Sequence, residues 1–565
     1  EYEHDTTPLV SIVIPTKDAL HVLKPCLQTL VEKTTYSNYE VIIVDNNSTD
    51  AETLEFLEQQ QRFDDRIKVL KYPKPYNYSA INNAAVAEAK GEYIVLLNND
   101  TAVLIGDWLE RMLSIGQRED VGIVGARLLH PDTTVQHAGV VLGMSGIADH
   151  PFIGLDSTYS GYLGQVHCIR GVSAVTAACL LVRKDIYQDV GGLDADKFAV
   201  LFNDVDLCLK VSEKNYRIVY TPYALLMHHG SFSLKKKAGD KKSMKRSRKE
   251  TLSMLDRWTP QLAKDPAFNR NLCLKDKSVV PEMLVDPDWD THRHDRLRVL
   301  AFPFNSWGVG YYRVRSPLSA LQEEDRLRCF YMPDHAGKDA IARVPEPVEL
   351  ERDAPDVMLL HSALHDLHLN ALELYGRFNK SVFKVFGIDD LLHELPPQHL
   401  LHSTGYKNLK ARIRKALSMC DRLIVSTQPL AEAYGNMIED VRIIPNSIDM
   451  RRWSGLKSGK RMGKKPRVGW VGASQHKPEL EIIASVVEEI GDEVKWVFFG
   501  DKPRDVGHLN VEFHEGVNFE EYPERMASLN LDLALAPLYS CAFNEAKSNL
   551  RLLEYGVLGI PVVCS

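Results

Sequence analysis

The chain has 565 residues, and at roughly 100–200 residues per domain this length predicts about three or four compact units. Hydrophobic residues make up 44% and charged residues 25%, ordinary values for globular proteins, which exclude a chain that is disordered or fibrous over most of its length. The formal net charge of −8 argues against nucleic-acid binding through overall charge.

The nine cysteines are scattered along the chain, and no two of them have the Cys-x-x-Cys spacing of a zinc ribbon or a redox motif. An odd number of dispersed thiols favours a reducing cytosol over a disulfide scaffold. No apolar stretch reaches the roughly 18 residues that a membrane-spanning helix needs. We therefore expect a cytoplasmic protein. We also expect both ends to be cut from a longer chain, because Glu1 begins it and a predicted strand at 561–565 ends it.

Residues 9–130 alternate short apolar runs with helical patterns. Strands are predicted at 9–15, 41–44, 67–70 and 93–97, and helices at about 21–33, 51–61 and 79–89, the second helix being capped at 48–50. Continuous apolar strands separated by helices predict an α/β fold with a parallel sheet covered on both faces. Ligands of such sheets collect at the carboxyl ends of the strands, so the residues there are the first candidates for a site.

Acids and amides follow two of these strands. Asp45 comes directly after the second strand with two asparagines behind it, and Asn98, Asn99 and Asp100 follow the fourth. An acid at this edge of a sheet can hold a ribose or a metal ion. Asn and Asp also make turns without any further role, but their presence at two buried strand ends favours function.

Two later motifs are less distinctive when taken alone. Asn203 and Asp204 begin a predicted helix that also carries Asp206, and either of the first two residues could serve only as the N-cap. An apolar run then ends at His228 and His229. A histidine pair in that position is more often structural than metal-binding.

The strand–helix alternation stops and then begins again. Residues 276–296 are polar and contain prolines, which predicts a linker. The alternation restarts at 297, passes a basic, glycine-containing stretch at 455–465, and continues in a further α/β set from 467. The predicted domains are therefore 1–275, the linker 276–296, and two units at 297–450 and 451–565.

Eight motifs between about residues 9 and 270 resemble glycosyltransferase family 2, which has the GT-A fold. The resemblance is to its bacterial branch that builds O-antigen, capsule and other cell-surface polysaccharides. It implies an inverting transfer of a sugar from a nucleoside-diphosphate donor to a hydroxyl of a glycan acceptor. The motifs are Val10–Thr16, Val41–Asp50, Gly91–Asp100, Gln136–Val140, Val172–Arg183, Gly191–Asp194, Asn203–Leu209 and His228-His229.

The resemblance also implies a divalent cation, Mn²⁺ or Mg²⁺, that neutralises the diphosphate as a Lewis acid. The last acid of the family's Asp-x-Asp metal motif falls on Asp100, and its first position is Asn98 here. With one carboxylate fewer, His228 is the implied additional ligand and His229 the alternative. A histidine ligand suits Mn²⁺ at least as well as Mg²⁺.

Further roles follow from the same resemblance. Asp45 is expected to hold the base or ribose of the donor. The family's general base is an acid at the Asn203 position, so Asp204 is the implied base. Asp206 is the second candidate, which could instead orient its helix or contact the acceptor. The remaining donor-pocket residues are expected to be Pro15, Thr16, Lys17, Asp18, Tyr78, Ser79, Asn82 and Asn99.

A basic run lies at 235–249, where nine Lys or Arg and one acid give a local charge of +8. One interpretation is a solvated, mobile loop. The other is a lid near the diphosphate, or a surface that contacts anionic lipid or a lipid-linked oligosaccharide acceptor. In the second case the protein would act at the inner face of the cytoplasmic membrane.

Residues 297–565 resemble a GT-B glycosyltransferase of family 4, cut short at its end. The matching motifs are Gly308–Arg313, Ile444–Asp449, Gly469–Gly472 and Lys547–Val563. The resemblance implies that Glu554 contacts a donor ribose, that Lys547 or Arg551 approaches its phosphates, and that Gly310 and Lys477 belong to the same site. Such a site needs no metal, because helix N-termini and basic side chains hold the diphosphate.

The second motif set departs from the family pattern. The usual pair of glutamates is incomplete, because Ala546 stands where the first is expected. Three hypotheses therefore remain open: two active transfer sites, one active GT-A site with a GT-B half that only binds acceptor, or a glycan-binding scaffold with both sites dead. Intact Asp45, Asp100, Asp204 and His228 argue against the scaffold.

Overall fold

A computed structural model describes residues 2, 6–230, 240–282, 295–335, 343–395, 408–459, 463–472, 477–503 and 510–565. The chain forms two compact units. The first consists of Glu1–Asp286 together with Glu346–Arg352, and the second of Pro287–Pro345 together with Asp353–Ser565. The boundary at 286 lies within the segment predicted as a linker, of which residues 283–294 lie outside the described part.

The first unit is built on one mixed sheet with helices around it. Its strands are β1 Val10–Thr16, β2 Tyr39–Asp45, β3 Ile67–Lys71, β4 Tyr93–Leu97, β5 Thr101–Val103, β6 Val121–Leu129, β7 Val135–His137, β8 Val141–Leu142, β9 Ala148–Asp149, β10 Arg170–Gly171, β11 Cys179–Arg183 and β12 Arg217–His228. Its helices are α1 Leu20–Lys33, α2 Ala51–Phe63, α3 Tyr78–Glu88, α4 Trp108–Gly116, α5 Lys184–Asp189, α6 Asn203–Glu213 and α7 Lys241–Ala263.

The main sheet has the order β10-β12-β6-β11-β4-β1-β2-β3, with β5 on β12 and β7 on β6. The four predicted strands β1 to β4 are parallel, as the continuous apolar runs indicated. Strand β11 is antiparallel to both of its neighbours, and β12 is parallel to β6. This order brings the carboxyl ends of β1, β2, β4 and β12 to one edge of the sheet.

Helix starts follow local chemistry where the chain supplies a cap. The Asp50 side chain accepts a hydrogen bond from the N–H of Thr53 and begins α2, as predicted. Helix α6 differs from the expectation, because its N-cap is Phe202 with a left-handed φ of 60°. Neither Asn203 nor Asp204 is the cap, so both side chains are available for other contacts.

Residues 241–249 of the basic run form the start of helix α7. The prediction of a mobile loop is therefore wrong for these residues, while 231–239 lie outside the described part of the chain. Lys241, Lys242, Lys245, Arg248 and Lys249 are exposed on the helix. Among the helices that the structure describes, none is long and apolar enough to cross a membrane.

The alternation predicted from residue 297 is present as two parallel sheets. The first has the order β14-β13-β15-β16-β17-β18, and the second β21-β20-β19-β22-β23. Their strands are β13 Leu297–Phe302, β14 Leu327–Tyr331, β15 Val357–His361, β16 Phe383–Ile388, β17 Arg422–Val425, β18 Val441–Ile443, β19 Arg467–Val471, β20 Lys495–Phe499, β21 Glu512–His514, β22 Leu533–Ala536 and β23 Val562–Cys564.

Helices connect the strands of these two sheets. They are α8 Ser316–Glu323, α9 Pro347–Asp353, α10 Asp366–Phe378, α11 Leu409–Leu417, α12 Gln428–Tyr434, α13 Met450–Trp453, α14 Lys477–Ile490, α15 Tyr522–Ser528, α16 Ala542–Glu545 and α17 Leu550–Val557. Helical turns at Gly308–Gly310 and Tyr311–Arg315 precede α8. Each sheet has its own apolar core, one around Val299 and Leu327 and the other around Val497 and Phe499.

Candidate functional site

Three strand ends of the first unit are joined by hydrogen bonds. Thr16 and Asp45 are register partners at the ends of β1 and β2. The Asn99 side-chain amide, which follows β4, donates to the Thr16 hydroxyl at 3.0 Å. Asp45 is 5% exposed, and its Oδ1 accepts from the N–H of Ser48 at 2.9 Å. These polar groups lie together at the sheet edge where a donor is expected to bind.

The loop after β1 is tied to the turn that begins α2. Pro15 is part of β1, and Asp18 lies in the loop with a left-handed φ of 51°. The Asp18 carboxylate accepts hydrogen bonds from the N–H groups of Thr49 and Asp50, at 2.7 and 2.9 Å. Asp18 therefore shapes the pocket wall by joining two loops.

Two residues expected at the donor are instead buried beneath the pocket. Asn82 is 0% exposed, and its amide donates to the carbonyl of Tyr78 at 2.8 Å. The Ser79 hydroxyl is also completely buried and donates to the carbonyl of Phe198. Both side chains thus support α3 through backbone carbonyls, and their expected place beside the donor stays a prediction.

Asp100 and His228 form the closest pair of predicted metal ligands. The Nε2 atom of His228 lies 3.0 Å from Oδ1 of Asp100 and 3.2 Å from Nδ2 of Asn98. The two residues meet because His228, the last residue of β12, pairs with Thr101 of β5. The side chain of the alternative ligand, His229, is exposed, and its backbone N–H donates to the carbonyl of Asp100.

Gln136 determines which nitrogen of His228 faces Asp100. Its Oε1 lies 2.6 Å from Nδ1 of His228, and its Nε2 donates to the His228 carbonyl at 3.3 Å. This orientation of the amide makes Nδ1 the protonated nitrogen and turns the lone pair of Nε2 toward Asp100. Sequence reasoning gave Gln136 no role, although it belongs to one of the quoted motifs.

The pair fits a divalent cation by the chemistry of its donors. A neutral imidazole nitrogen and a carboxylate oxygen are both acceptors, so at 3.0 Å they need a proton or a cation between them. A proton on Nε2 of His228 would supply that charge, and its hydrogen bond would then outweigh burial and hold the pKa of Asp100 below its ordinary value. Among the described residues, no group of three or more His, Cys, Asp or Glu side chains is arranged to hold a metal ion.

Asp204 is the accessible acid of its motif. It lies in the first turn of α6 and is half-buried, whereas Asn203 and Asp206 are 3% and 0% exposed. The Asp204 oxygens accept from the N–H groups of Ala177 and Val205, at 3.1 and 2.9 Å. These two bonds fix the carboxylate while leaving further lone pairs free.

Tyr78 connects Asp204 with the Asp100–His228 pair. Its hydroxyl lies 3.1 Å from the carbonyl of Ala177, whose N–H holds Asp204, and 3.2 Å from Oδ1 of Asn98. Burial raises the pKa of Tyr78 well above its ordinary value, so the hydroxyl stays protonated. The predicted base and the predicted metal ligands therefore belong to one site.

Asp206 is the second candidate for the base, and its burial favours the alternative that it orients its helix. Its Oδ1 accepts from the indole N–H of Trp258 at 2.9 Å and lies 3.1 Å from Arg257, both on α7. Lys210, one turn along α6, lies 3.4 Å from its other oxygen. Asp206 thus holds α6 against α7 and contacts no solvent.

The predicted residues of the second site lie in the second unit. Glu554 is 5% exposed, so it is not a surface acid. Its carboxylate accepts hydrogen bonds from the hydroxyls of Tyr312 and Tyr522, at 2.9 and 3.1 Å, and from Arg551 at 3.2 Å. Arg551, which is expected near a diphosphate, is therefore already paired with Glu554, which is expected near a ribose.

The other expected members of this site differ in what they contact. The Lys547 ammonium lies 4.9 Å from the ring centroid of Phe543. Gly310 follows β13, where an added Cβ would meet the backbone oxygen of Asn305 at 1.8 Å, so only glycine fits. Lys477 begins α14, and its side chain is outside the described part of the structure.

Sequence reasoning missed a polar cluster in the second unit. Nε2 of His361, at the end of β15, lies 3.3 Å from Oδ1 of Asp389, which follows β16. Burial raises the pKa of the adjacent Asp390 to about 7, with Asp389 adding to the shift and Lys547 opposing it. The signal was present in the sequence, because an acid directly after an apolar strand is the pattern that marked Asp45.

Comparison with known proteins agrees with this geometry. Residues 11–191 match the family model for glycosyl transferase family 2. This part of the chain is a domain of that family, and it contains the ends of β1, β2 and β4. His228 and Asp204 follow the matched range.

Two curated bacterial proteins are similar to larger parts of the chain. The uncharacterized protein y4gI of Sinorhizobium fredii is 44% identical over 283 residues, which are 50% of this chain and 31% of that protein. The O-antigen biosynthesis protein RfbC of Myxococcus xanthus is 42% identical over 228 residues, 40% of this chain and 18% of that protein. The chain thus matches less than a third of the length of either relative.

Two further comparisons are weaker. An Escherichia coli protein, UDP-Glc:alpha-D-GlcNAc-diphosphoundecaprenol beta-1,3-glucosyltransferase WfgD, is 28% identical over 116 residues, covering 20% of this chain and 44% of that protein. The solved structure of GalNAc-T7 with UDP, GalNAc and Mn²⁺ has a TM-score of 0.34 at 11% identity, covering 40% of this chain and 44% of that chain.

Replacing Asp206 with Ala is expected to destabilise the first unit. The change leaves Lys210 and Arg257 without their buried partner, and the free energy of unfolding should fall by about 3 kcal/mol or more. Urea denaturation followed by circular dichroism measures this loss. Asp204→Ala on the same helix is the control, with an expected change within about 1 kcal/mol. Equal losses in both variants would contradict the structural role of Asp206.

Proposed function

We propose that the first unit transfers a sugar from a nucleoside-diphosphate donor to a hydroxyl of a glycan acceptor, in the synthesis of a bacterial cell-surface polysaccharide. The observation that carries this proposal is the joint site of Asp100, His228 and Asp204, which Tyr78 connects at one sheet edge. The family matched by residues 11–191 supports sugar transfer as the reaction. The name of the RfbC relative supports a role in polysaccharide synthesis.

Asp100 and His228 are the residues that would hold a divalent cation, Mn²⁺ or Mg²⁺. When bound, such an ion neutralises the diphosphate leaving group as a Lewis acid. Gln136 keeps the Nε2 lone pair of His228 directed at the ion site. Asp45 would bind the base or ribose of the donor, with Thr16 and Asn99 beside it.

Asp204 would take the proton from the acceptor hydroxyl. A transfer with inversion needs one base. Asp204 is the half-buried carboxylate of its motif, and its described hydrogen-bond donors are two backbone N–H groups. Asp206, in contrast, is bonded to Trp258 of α7. Its two backbone hydrogen bonds hold the carboxylate in place without neutralising it. The acceptor would therefore approach from the side of Ala177 and Tyr78.

The second unit resembles the GT-B type, and two roles compete for it. One is a second transfer site without a metal, in which Glu554 binds a ribose and Lys547 or Arg551 a diphosphate. The other is a half that binds acceptor without transferring. The pairing of Glu554 with Arg551 and two tyrosines favours the second role, because these groups satisfy one another. A scaffold with both sites dead is the remaining alternative.

The acceptor is proposed to be lipid-linked and the enzyme to work at the inner face of the cytoplasmic membrane. The exposed basic residues at the start of α7 support this peripheral contact, since each positive charge near anionic lipid contributes about 1 kcal/mol. The name of the WfgD relative includes a diphosphoundecaprenol-linked sugar, which agrees with such an acceptor. No nucleic-acid partner is proposed.

Metal-dependent nucleotide release from a panel of sugar nucleotides tests the first site. Wild type should release nucleotide with Mn²⁺ and lose this activity with chelator, and Asp100→Ala should behave like chelated wild type. Asp204→Asn should bind nucleotide but lose transfer by about 10²–10⁴-fold, because the base is gone. Glu213→Gln, an exposed acid on the same helix, is the matched control. Turnover by Asp204→Asn would remove Asp204 as the base.

The role of the second unit is tested by Glu554→Ala. If this unit only binds acceptor, the masses of the products should stay the same. The melting temperature should fall, because Arg551 and two tyrosine hydroxyls lose a buried partner. Loss of one of two distinct products would instead establish a second transfer site.

Membrane contact is tested by co-sedimentation with vesicles. Replacing the five exposed basic residues of α7 with Gln should lower the affinity for phosphatidylglycerol vesicles at least about tenfold, with little binding to phosphatidylcholine. The control replaces five exposed lysines elsewhere in the first unit with Gln, and its affinity should change much less. Equal losses in both variants would show that the basic residues of α7 form no specific surface. The control positions are Lys24, Lys68, Lys71, Lys90 and Lys197.

A further inference from the structure

A histidine pair of the first unit combines one buried ring with one half-buried ring. His137 ends β7, and His150 directly follows β9, the second strand of a small hairpin. Val140, just before this hairpin, donates its N–H to the carbonyl of Ala174 at 2.9 Å. Ala174 is in the segment whose Ala177 N–H holds Asp204. The hairpin therefore runs next to the backbone that positions the proposed base.

The hairpin is held in place by buried and charged contacts from the segment after α7. The Asp265 carboxylate accepts from the N–H of Leu142 at 2.7 Å and from the Ser173 hydroxyl at 2.5 Å. Lys277 pairs with Asp149, the residue before His150, at 2.7 Å. These contacts tie the hairpin both to the segment of Ser173 and to the chain that follows α7. The backbone at His150 is thus fixed independently of any ligand.

A chain of hydrogen bonds assigns the tautomers of the two rings. The N–H of Gly139 points at Nε2 of His137 at 3.4 Å, so this nitrogen is the acceptor and Nδ1 of His137 carries the proton. Nδ1 of His137 lies 2.9 Å from Nδ1 of His150. The second ring must accept this proton, so the proton of neutral His150 is on Nε2.

Both rings are neutral near pH 7. Burial lowers the pKa of His137 well below its ordinary value, and the neighbouring His150 adds to this effect. Burial also lowers the pKa of His150, which the charges of Asp204 and Asp149 offset only in part.

The Nε2–H of His150 has no hydrogen-bond acceptor among the residues that the structure describes, although Nδ1 is bonded to His137. His137 is completely buried. The pair thus has one anchored end inside the protein and, on the half-buried ring of His150, one donor without a described acceptor. A neutral N–H donor suits a sugar oxygen, since it satisfies a hydroxyl without competing for the proton that the base removes.

We propose that His150 binds the acceptor sugar by donating its Nε2–H to an oxygen next to the reactive hydroxyl, and that His137 is the positioning residue that fixes the ring and its tautomer. This inference rests on the proposed function of the first unit and adds an acceptor-binding residue to it. Neither histidine had a role by sequence reasoning. His150 lies outside the quoted motifs, while His137 belongs to one of them.

Steady-state kinetics with octyl glycosides of common sugars as acceptor probes tests the proposal. His150→Phe keeps a ring and removes the donor, so the acceptor KM should rise about tenfold, the effect of one hydrogen bond, while the donor KM stays the same. His150→Gln should restore the acceptor KM to within about threefold of wild type, because the amide N–H of Gln reaches the position of Nε2. His365→Phe, at an exposed histidine of the second unit, is the control and should leave the acceptor KM unchanged.

His137→Phe should raise the acceptor KM in the same direction as His150→Phe, and combining the two changes should add little, because both act through one ring. An unchanged acceptor KM in His150→Phe, with normal metal-dependent nucleotide release by wild type, would overturn this inference alone. Absence of that release in wild type would overturn the proposed function as well.

Long-range ¹H–¹⁵N spectra of protein labelled at histidine give a readout that does not depend on activity. The expected result is an Nε2–H tautomer for His150 and an Nδ1–H tautomer for His137, assigned with the two Phe variants. In His137→Phe the tautomer preference of His150 should be lost. An Nδ1–H tautomer of His150 in the wild type would overturn the assignment.

Discussion

The facing pair of Asp100 and His228 is the constraint on which the first site depends, because two acceptors 3.0 Å apart are unfavourable without a positive charge between them. Sheet register produces this contact. Strand β12 pairs with β6 along most of its 12 residues, shifts register between Thr221 and Leu225, and then pairs with β5 so that His228 meets Thr101.

Gln136 fixes the orientation of the His228 ring, because its amide forms hydrogen bonds with both Nδ1 and the backbone carbonyl of His228. Gly230 permits its approach, since an added Cβ there would lie 2.5 Å from the Gln136 amide nitrogen.

Helix α7 gives the acid of α6 its position through buried carboxylates. Glu250 of α7 is 1% exposed and accepts from the N–H groups of Val200 and Leu201, in the turn that leads into α6. Trp258 and Arg257 hold Asp206 from the other side. The exposed basic start of the same helix therefore belongs to a rigid element that also sets the place of Asp204.

The sequence predicted the parts of this arrangement that depend on local pattern. Continuous apolar runs identified β1 to β4, and family motifs identified Asp100, Asp204 and His228. The missing parts depend on contacts between distant segments. Asp206 is the second candidate for the base by sequence, and its bond to Trp258, 52 residues away, could not be predicted from the motif. The burial of Asn82 and the tautomer of His228 likewise depend on packing that no spacing in the chain encodes.

In the second unit, residues expected to bind a donor are hydrogen bonded to one another. The segment after β13 reaches across the unit, with Tyr312 bonded to Glu554 and Arg313 bonded to the carbonyl of Ile444 and to Asn446. Asn446 in turn bonds Ser548, so the two sheets are joined by polar contacts rather than separated by an open cleft at these residues.

Burial makes these contacts strong, because separating the Glu554 carboxylate from its three donors costs more free energy inside the protein than it would in water. A donor that needed Glu554 would have to replace all three partners at once.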